Sequence, residues 1–130
     1  MPDPVAGYEP RPYPDPPGED SETAAEEFAL AYERAITYNH WLANNISEDT
    51  DSFSVDVTAG PTEEAGNGYL VGLDWSAYDT TEEDAIGEAS GAIVYYIALR
   101  VGIRAYPDSK SIHDVSLPSC DCTVLGTVYC

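Results

Sequence analysis

The chain predicts an α+β domain: one long N-terminal helix packed on a curved antiparallel meander of four strands, five if the C-terminal tail adds one. Three observations predict it. Between Asp20 and Ser47 apolar residues recur at steps of three and four. From Ser52 to Tyr78 the period changes to two. From Ser90 onward β-branched and aromatic residues dominate a stretch interrupted by glycines.

The first element is not regular structure. Residues 1–19, MPDPVAGYEPRPYPDPPGE, carry seven prolines, which fix φ and remove backbone donors. Such a segment favours extended polyproline II at about 3.1 Å per residue and reads as a stalk or linker. Residues 20–106 form the expected domain. Its helix starts with Thr23-Ala24-Ala25-Glu26 as a capping box, with Asp20 and Ser21 as alternative caps. Ala24, Phe28, Ala31, Ala35, Tyr38, Leu42 and Ile46 fall on one stripe, and Ala31 and Ala35 are small enough to let a sheet come close. Glu22, Glu26 and Glu27 suit the positive end of the helix dipole.

Phe53, Val55, Val57 and Ala59 then alternate with polar residues as a half-buried strand. GPTEEAGNG reads as a polar turn, and Tyr69, Val71, Leu73 and Trp75 as a second strand ending near Tyr78. DTTEEDAIGEA reads as an acidic loop. SGAIVYYIALRVGIRAY admits a buried helix, but its residue types favour two strands, about 90–98 and 101–106, reversing near Leu99-Arg100. Residues 107–130 are a cysteine-bearing tail in which CTVLGTVY can supply the fifth strand. One helix on such a meander is the arrangement of cystatin-like and NTF2-like folds, an analogy that carries no function by itself.

Charge narrows the function classes. Twenty-four acidic residues face five basic ones, a formal net charge of -19, and the acids are spread over nearly every segment. A dispersed acidic surface with a single lysine, Lys110, suits a protein kept hydrated in concentrated salt, where the Debye length falls to about 3 Å and self-repulsion fades. An acidic patch for a cationic partner is the competing reading. Nucleic acid is excluded as a partner, because phosphate binding needs a basic stripe. No segment approaches the 18–20 or so apolar residues of a membrane span, and the start of the sequence has neither a charged n-region nor a hydrophobic h-region.

The domain resembles the small secreted or lipid-anchored proteins of unknown function found in haloarchaea. The resemblance rests on YEPRPYPDPP, FALAYERAITYNHWL, GYLVGLDW and GEASGAIVYYIALRVGIRAY, and spans about residues 8–106. Within it, a small-residue segment before a Tyr-containing strand and then an Arg-bearing strand falls on Ala89 to Gly91, Tyr95 and Arg104. It implies an extracytoplasmic, cell-surface domain tethered through a lipid-modified cysteine ahead of the stalk. No such cysteine precedes Pro2, so an anchor would have to lie in a leader that was removed. The resemblance implies no activity and no cofactor.

Candidate sites are few. Cys120, Cys122 and Cys130 are all the cysteines of the chain. A metal site with His113 as fourth ligand fits the usual spacing of paired cysteines poorly. A loop-closing disulfide from Cys130 to Cys120 or Cys122 fits better, and the odd thiol is left free or available to link a second chain into a homo-oligomer. Asn45-Ile46-Ser47 is an N-glycosylation sequon. His40, seven residues from Glu33, and a buried Asp such as Asp74 are the candidate bases of an NTF2-like enzyme pocket. Glu63-Glu64 and Glu82-Glu83-Asp84 lack the ligand alternation of a calcium loop. Tyr69, Trp75, Tyr95 and Tyr96 are expected as core residues, or as the lining of a ligand groove on the concave sheet face. The sequence thus favours a non-catalytic surface domain that binds a small ligand or an envelope partner. An NTF2-like enzyme and a self-associating surface protein are the alternatives.

Overall fold

The computed structural model describes residues 7–48, 50–81, 86–99, 101–105 and 126–129. Helix α1 (Glu22–Asn45) is followed by β1 (Thr50–Ala65), β2 (Gly68–Thr81), β3 (Ile86–Ala98), β4 (Gly102–Ala105) and β5 (Gly126–Tyr129). The strands form one antiparallel sheet in the order β1-β2-β3-β4-β5, with α1 packed across one face. This is the expected α+β layer. The expected cysteine chemistry and the His113 ligand fall outside the described residues.

Helix α1 begins one residue after Ser21, whose Oγ accepts the Ala24 N–H at 3.1 Å. Ser21 rather than Thr23 is therefore the cap, and it satisfies one of the orphan donors of the first turn. The small residues against the sheet are Ala25 and Ala29, which pack with Val57, Val71, Leu73, Ile93, Tyr95 and Ile97. Ala31, expected on that stripe, is exposed. The rest of the stripe from Phe28 through Ala35, Tyr38, Leu42 and Ile46 is buried, and the buried face is widened by Ala25, Ala29, Glu33, Thr37, Asn39 and Trp41.

Residues 8–13 of the leader cover a second flank of α1. Tyr8 meets the Phe53 ring edge-on at 5.3 Å, and Tyr13 stacks on Tyr32 at 5.1 Å. The Arg11 guanidinium sits 4.1 Å above the Tyr38 ring. The buried Asn39 side chain grips the Arg11 backbone from both sides. Its Oδ1 accepts the Arg11 N–H at 2.7 Å and its Nδ2 donates to the Arg11 carbonyl at 2.9 Å. Contacts thus cross the expected boundary between residues 19 and 20.

The strands are longer than alternation alone implies. Most of GPTEEAGNG belongs to β1, and the reversal narrows to Gly66-Asn67 between the paired Ala65 and Gly68. Gly66 has φ 57, a left-handed conformation natural to glycine in a two-residue hairpin. Between the Ala59–Leu73 and Thr62–Val71 pairs β1 carries one extra residue. This bulge accommodates Pro61, which has no N–H to pair and sits on the sheet's edge. β3 pairs with β2 without a break from Ile86 to Ala98, so the acidic loop is shorter than expected at both ends. SGAIVYYIALRVGIRAY resolves into two strands, as its residue types favour.

On the helix-facing side, Gly91 of β3 lies opposite Trp75 and Gly87 opposite Asp79. A Cβ at Gly91 would stand 3.0 Å from Trp75 Nε1, and one at Gly87 2.7 Å from Asp79 Oδ1. The two glycines leave room for the indole and the carboxylate to lie flat on β3. Asp79 Oδ1 then accepts the Trp41 indole N–H at 2.9 Å, tying helix to sheet. Gly91→Val should destabilise the fold by about 1–3 kcal/mol through overpacking against Trp75. Denaturant titration in molar salt checks this, and Trp75 emission should shift with it.

Candidate functional site

A carboxylate lies under the centre of the helix. Ala25, Ala29, Glu33 and Thr37 form an i+4 row, and Glu33 is fully buried at 0% exposure. Burying a charge costs several kcal/mol unless its lone pairs are taken up. Here all are. Oε1 accepts from the Tyr95 hydroxyl at 2.8 Å and from Arg104 Nε at 2.8 Å. Oε2 accepts from Arg104 Nη2 at 3.0 Å and from Thr37 Oγ1 at 2.5 Å. The Arg104 contact is the bidentate fork that a guanidinium offers a carboxylate.

Register brings these groups together. Tyr95 and Arg104 are cross-strand partners in β3 and β4, so both side chains point to the helix face. Burial, and then the charge of Glu33, push the Tyr95 hydroxyl well above its ordinary range. Burial alone would pull Arg104 down, but hydrogen bonding to Glu33 and its charge outweigh that and hold it above its usual value.

Arg104 also reaches daylight. Its side chain is 18% exposed and forms the floor of a cleft of about 260 Å³ between α1 and the sheet. Ile36, Thr37, His40, Trp41 and Asn45 supply the helix wall, and Trp75 the sheet wall. Both tryptophans of the chain therefore border it. The cleft combines indole surface with an imidazole, an amide, a hydroxyl and a guanidinium, the mixture of apolar walls and a few polar groups that small-ligand sites use.

The sequence-derived candidates scatter. His40 lines the cleft, but Glu33 faces the sheet and is wholly engaged, so no Glu33–His40 pair forms. The exposed imidazole neighbours Asn44, whose Nδ2 lies 3.4 Å from His40 Nδ1 and donates to the His40 carbonyl at 2.8 Å. Asp74 is exposed on the opposite sheet face, in a shallow groove with Asp56, Thr58, Ser76 and Ser90. The buried aspartate of β2 is Asp79, five residues on and hence of opposite parity. Tyr69, Trp75, Tyr95 and Tyr96 do not form one groove. Tyr95 is sealed beneath the helix, Tyr69 packs at the edge of that core, and Tyr96 joins Leu70, Val94 and Ala105 on the other face. Trp75 alone of the four reaches the cleft. Asn45 is exposed at the end of α1, with its sequon at the cleft's mouth. Among the described residues no group of three or more His, Cys, Asp and Glu is placed to hold a metal ion. Nor is any helix among them long and apolar enough to cross a membrane.

What the residue reading missed is the role of Glu33 with Arg104. The signals were present: one acid inside an i+4 row otherwise of alanine and threonine, and one arginine inside the apolar strand GIRA. Comparison with protein-family models, curated proteins and solved structures finds no match. The cystatin- or NTF2-like description therefore concerns element order alone.

Two predictions follow the geometry. Arg104→Met strands a buried carboxylate and should cost about 3–5 kcal/mol, whereas Glu33→Leu combined with Arg104→Met should recover most of it. Denaturant midpoints of the single and double variants measure the difference. The second concerns alkali. The unfolded chain releases the Tyr95 proton near the ordinary value of 10.0 while the folded chain keeps it. The folded state then binds more protons, so stability is intact below that pH and declines above it. Tyr95→Phe should flatten the alkaline decline, read from the pH dependence of the unfolding midpoint.

Proposed function

We propose that the protein is a non-catalytic, tethered, extracytoplasmic domain of a halophilic archaeon that holds a small polar ligand in the helix–sheet cleft. The observation that carries the binding reading is the cleft itself, where Trp75, His40, Asn45 and Arg104 converge over about 260 Å³. Its floor is preorganised, because Glu33 fixes the Arg104 fork and leaves it no freedom to lose on binding. The dispersed charge of -19 supports the halophilic part, and the cell-surface part rests on the resemblance, the sequon and the proline-rich leader. An envelope protein is the alternative occupant.

One observation favours an enzyme as second reading: His40 opens into the same cleft. Against it, the carboxylate expected to pair with His40 and orient it is Glu33, and both of its oxygens already accept from two donors elsewhere.

Because both tryptophans border the cleft, ligand entry reports itself in intrinsic emission. Titrating mono- and disaccharides and short neutral or zwitterionic metabolites in molar salt should give at least one saturable change. His40→Ala and Asn45→Ala, both at exposed positions, should weaken that binding about tenfold without moving the melting temperature. Binding indifferent to both substitutions places the ligand elsewhere. A pH-dependent turnover lost in His40→Ala favours the enzyme.

A further inference from the structure

The leader does not touch α1 as loose chain touches a surface. Three side chains and one backbone amide are each received by a separate device. Tyr8 meets Phe53, Arg11 lies over Tyr38, and Tyr13 stacks on Tyr32. Between them, the Asn39 carboxamide accepts the Arg11 N–H and donates to the Arg11 carbonyl. A side-chain amide used this way imitates one rung of a β-ladder. It reads extended backbone of any sequence, while the flanking aromatics read the side chains. With the leader in place Asn39 is 3% exposed, so both bonds of the rung are shielded from water.

The segment received is Tyr-x-x-Arg-x-Tyr with proline on both sides of the arginine. Proline holds such a peptide extended before it binds, so little conformational entropy is lost on docking. An arginine suits the surroundings too, because the chain as a whole is strongly acidic. C-terminal to Tyr13 the leader stands off the helix. Residues Pro14, Pro17 and Glu19 border a gap of about 490 Å³ against Ala24, Phe28 and Ala31. The strap is thus anchored at residues 8–13 and joined to its own helix by a span that packs loosely.

We infer that the outer flank of α1 is a recognition groove for an extended Tyr-x-x-Arg-x-Tyr peptide, filled here by the chain's own leader, and that the leader of a second copy is its occupant in trans. The two occupants make the same contacts. The cis strap wins at low concentration because a short tether confers an effective concentration of about millimolar. Exchange between copies follows when that advantage is weakened or matched, the general route of segment swapping.

The test uses the full chain. A fluorescently labelled synthetic peptide of residues 7–19 is titrated in molar salt against wild-type protein and against the full-length double variant Arg11→Ala/Tyr13→Ala. Both side chains are exposed, so the variant keeps its fold, and circular dichroism confirms that. The peptide should bind the strap-weakened chain about tenfold tighter than wild type, because a larger fraction of grooves is open. The peptide carrying Arg11→Ala should bind about tenfold weaker than the native peptide. Light scattering of a mixture of wild-type and strap-weakened chains near millimolar concentration should show dimers. No saturable binding to a natively folded strap-weakened chain overturns the groove, as does equal binding of the native and Arg11→Ala peptides. A mixture that stays monomeric overturns the second copy as its occupant.

Discussion

Everything in this fold is arranged around a carboxylate that cannot reach water. Glu33 sits at the middle of α1, faces the sheet, and is tolerable there only because four donors converge on its two oxygens. That requirement fixes relations between elements that hydrophobic burial alone leaves adjustable. Apolar contact is non-directional and would accept small slides of α1 over Val71, Leu73 and Ile93. The Arg104 fork and the Tyr95 hydroxyl accept none. A one-residue slip of β4 on β3 would turn Arg104 to the opposite sheet face and leave Glu33 with only the neutral Tyr95 and Thr37 hydroxyls. Trp41 on Asp79 is the second directional tie, about two turns further along the helix. Together they select one docking of helix on sheet.

Charge balance explains why such a tie suits this chain. With a formal charge of -19, most carboxylates repel their neighbours and are best left in solvent. Arginines are scarce, and one of them is committed to the interior. Arg104 neutralises Glu33 there, so the core carries no net charge into the field of the acidic surface. The cleft above inherits this neutrality. Its guanidinium is already balanced, so a neutral or zwitterionic ligand fits it better than an anion that the whole surface would repel.

How much of this was legible in the sequence depends on which physical signal each element uses. The helix and the first two strands were, because burial on one face imposes a period that the apolar residues obey. The parity of β2 even contained the buried aspartate: counting in twos from Val71 through Trp75 reaches Asp79, not Asp74. The hairpin ends were not legible. Glu63, Glu64 and Gly60-Pro61 resemble turn residues, yet an edge strand tolerates polar side chains and a bulged proline. The Glu33–Arg104 pair joins residues 71 apart in sequence, and neither residue alone announces its partner. The burial of Asn39 beneath the leader was not legible, because the leader's prolines speak for extended backbone but say nothing of where it lies. The cysteines and His113 fall outside the described residues, so the tail reading is carried by spacing alone.

The cleft and the strap lie on neighbouring flanks of one helix. Thr37 and Trp41 serve the cleft, while Tyr38 and Asn39 serve the strap. Consecutive residues invite the idea that strap and cleft are coupled, but the pattern of bonds argues against a strong link. An exposed cation–π contact is worth about 0.5–1 kcal/mol and an aromatic pair about 0.5–1.5 kcal/mol. Uncoupling one partner of a buried carboxylate–guanidinium pair costs about 3–5 kcal/mol. The strap's cation–π contact, two aromatic pairs and two Asn39 bonds together are of similar size, but none of them is a bond to Glu33, whose donors come from Thr37, Tyr95 and Arg104. The strap can therefore leave while the helix stays where Glu33 holds it. What holds the helix wall of the cleft in place is the Glu33 network, with the strap meeting it, among the described residues, only through the edge-on contact of Tyr32 with Tyr95.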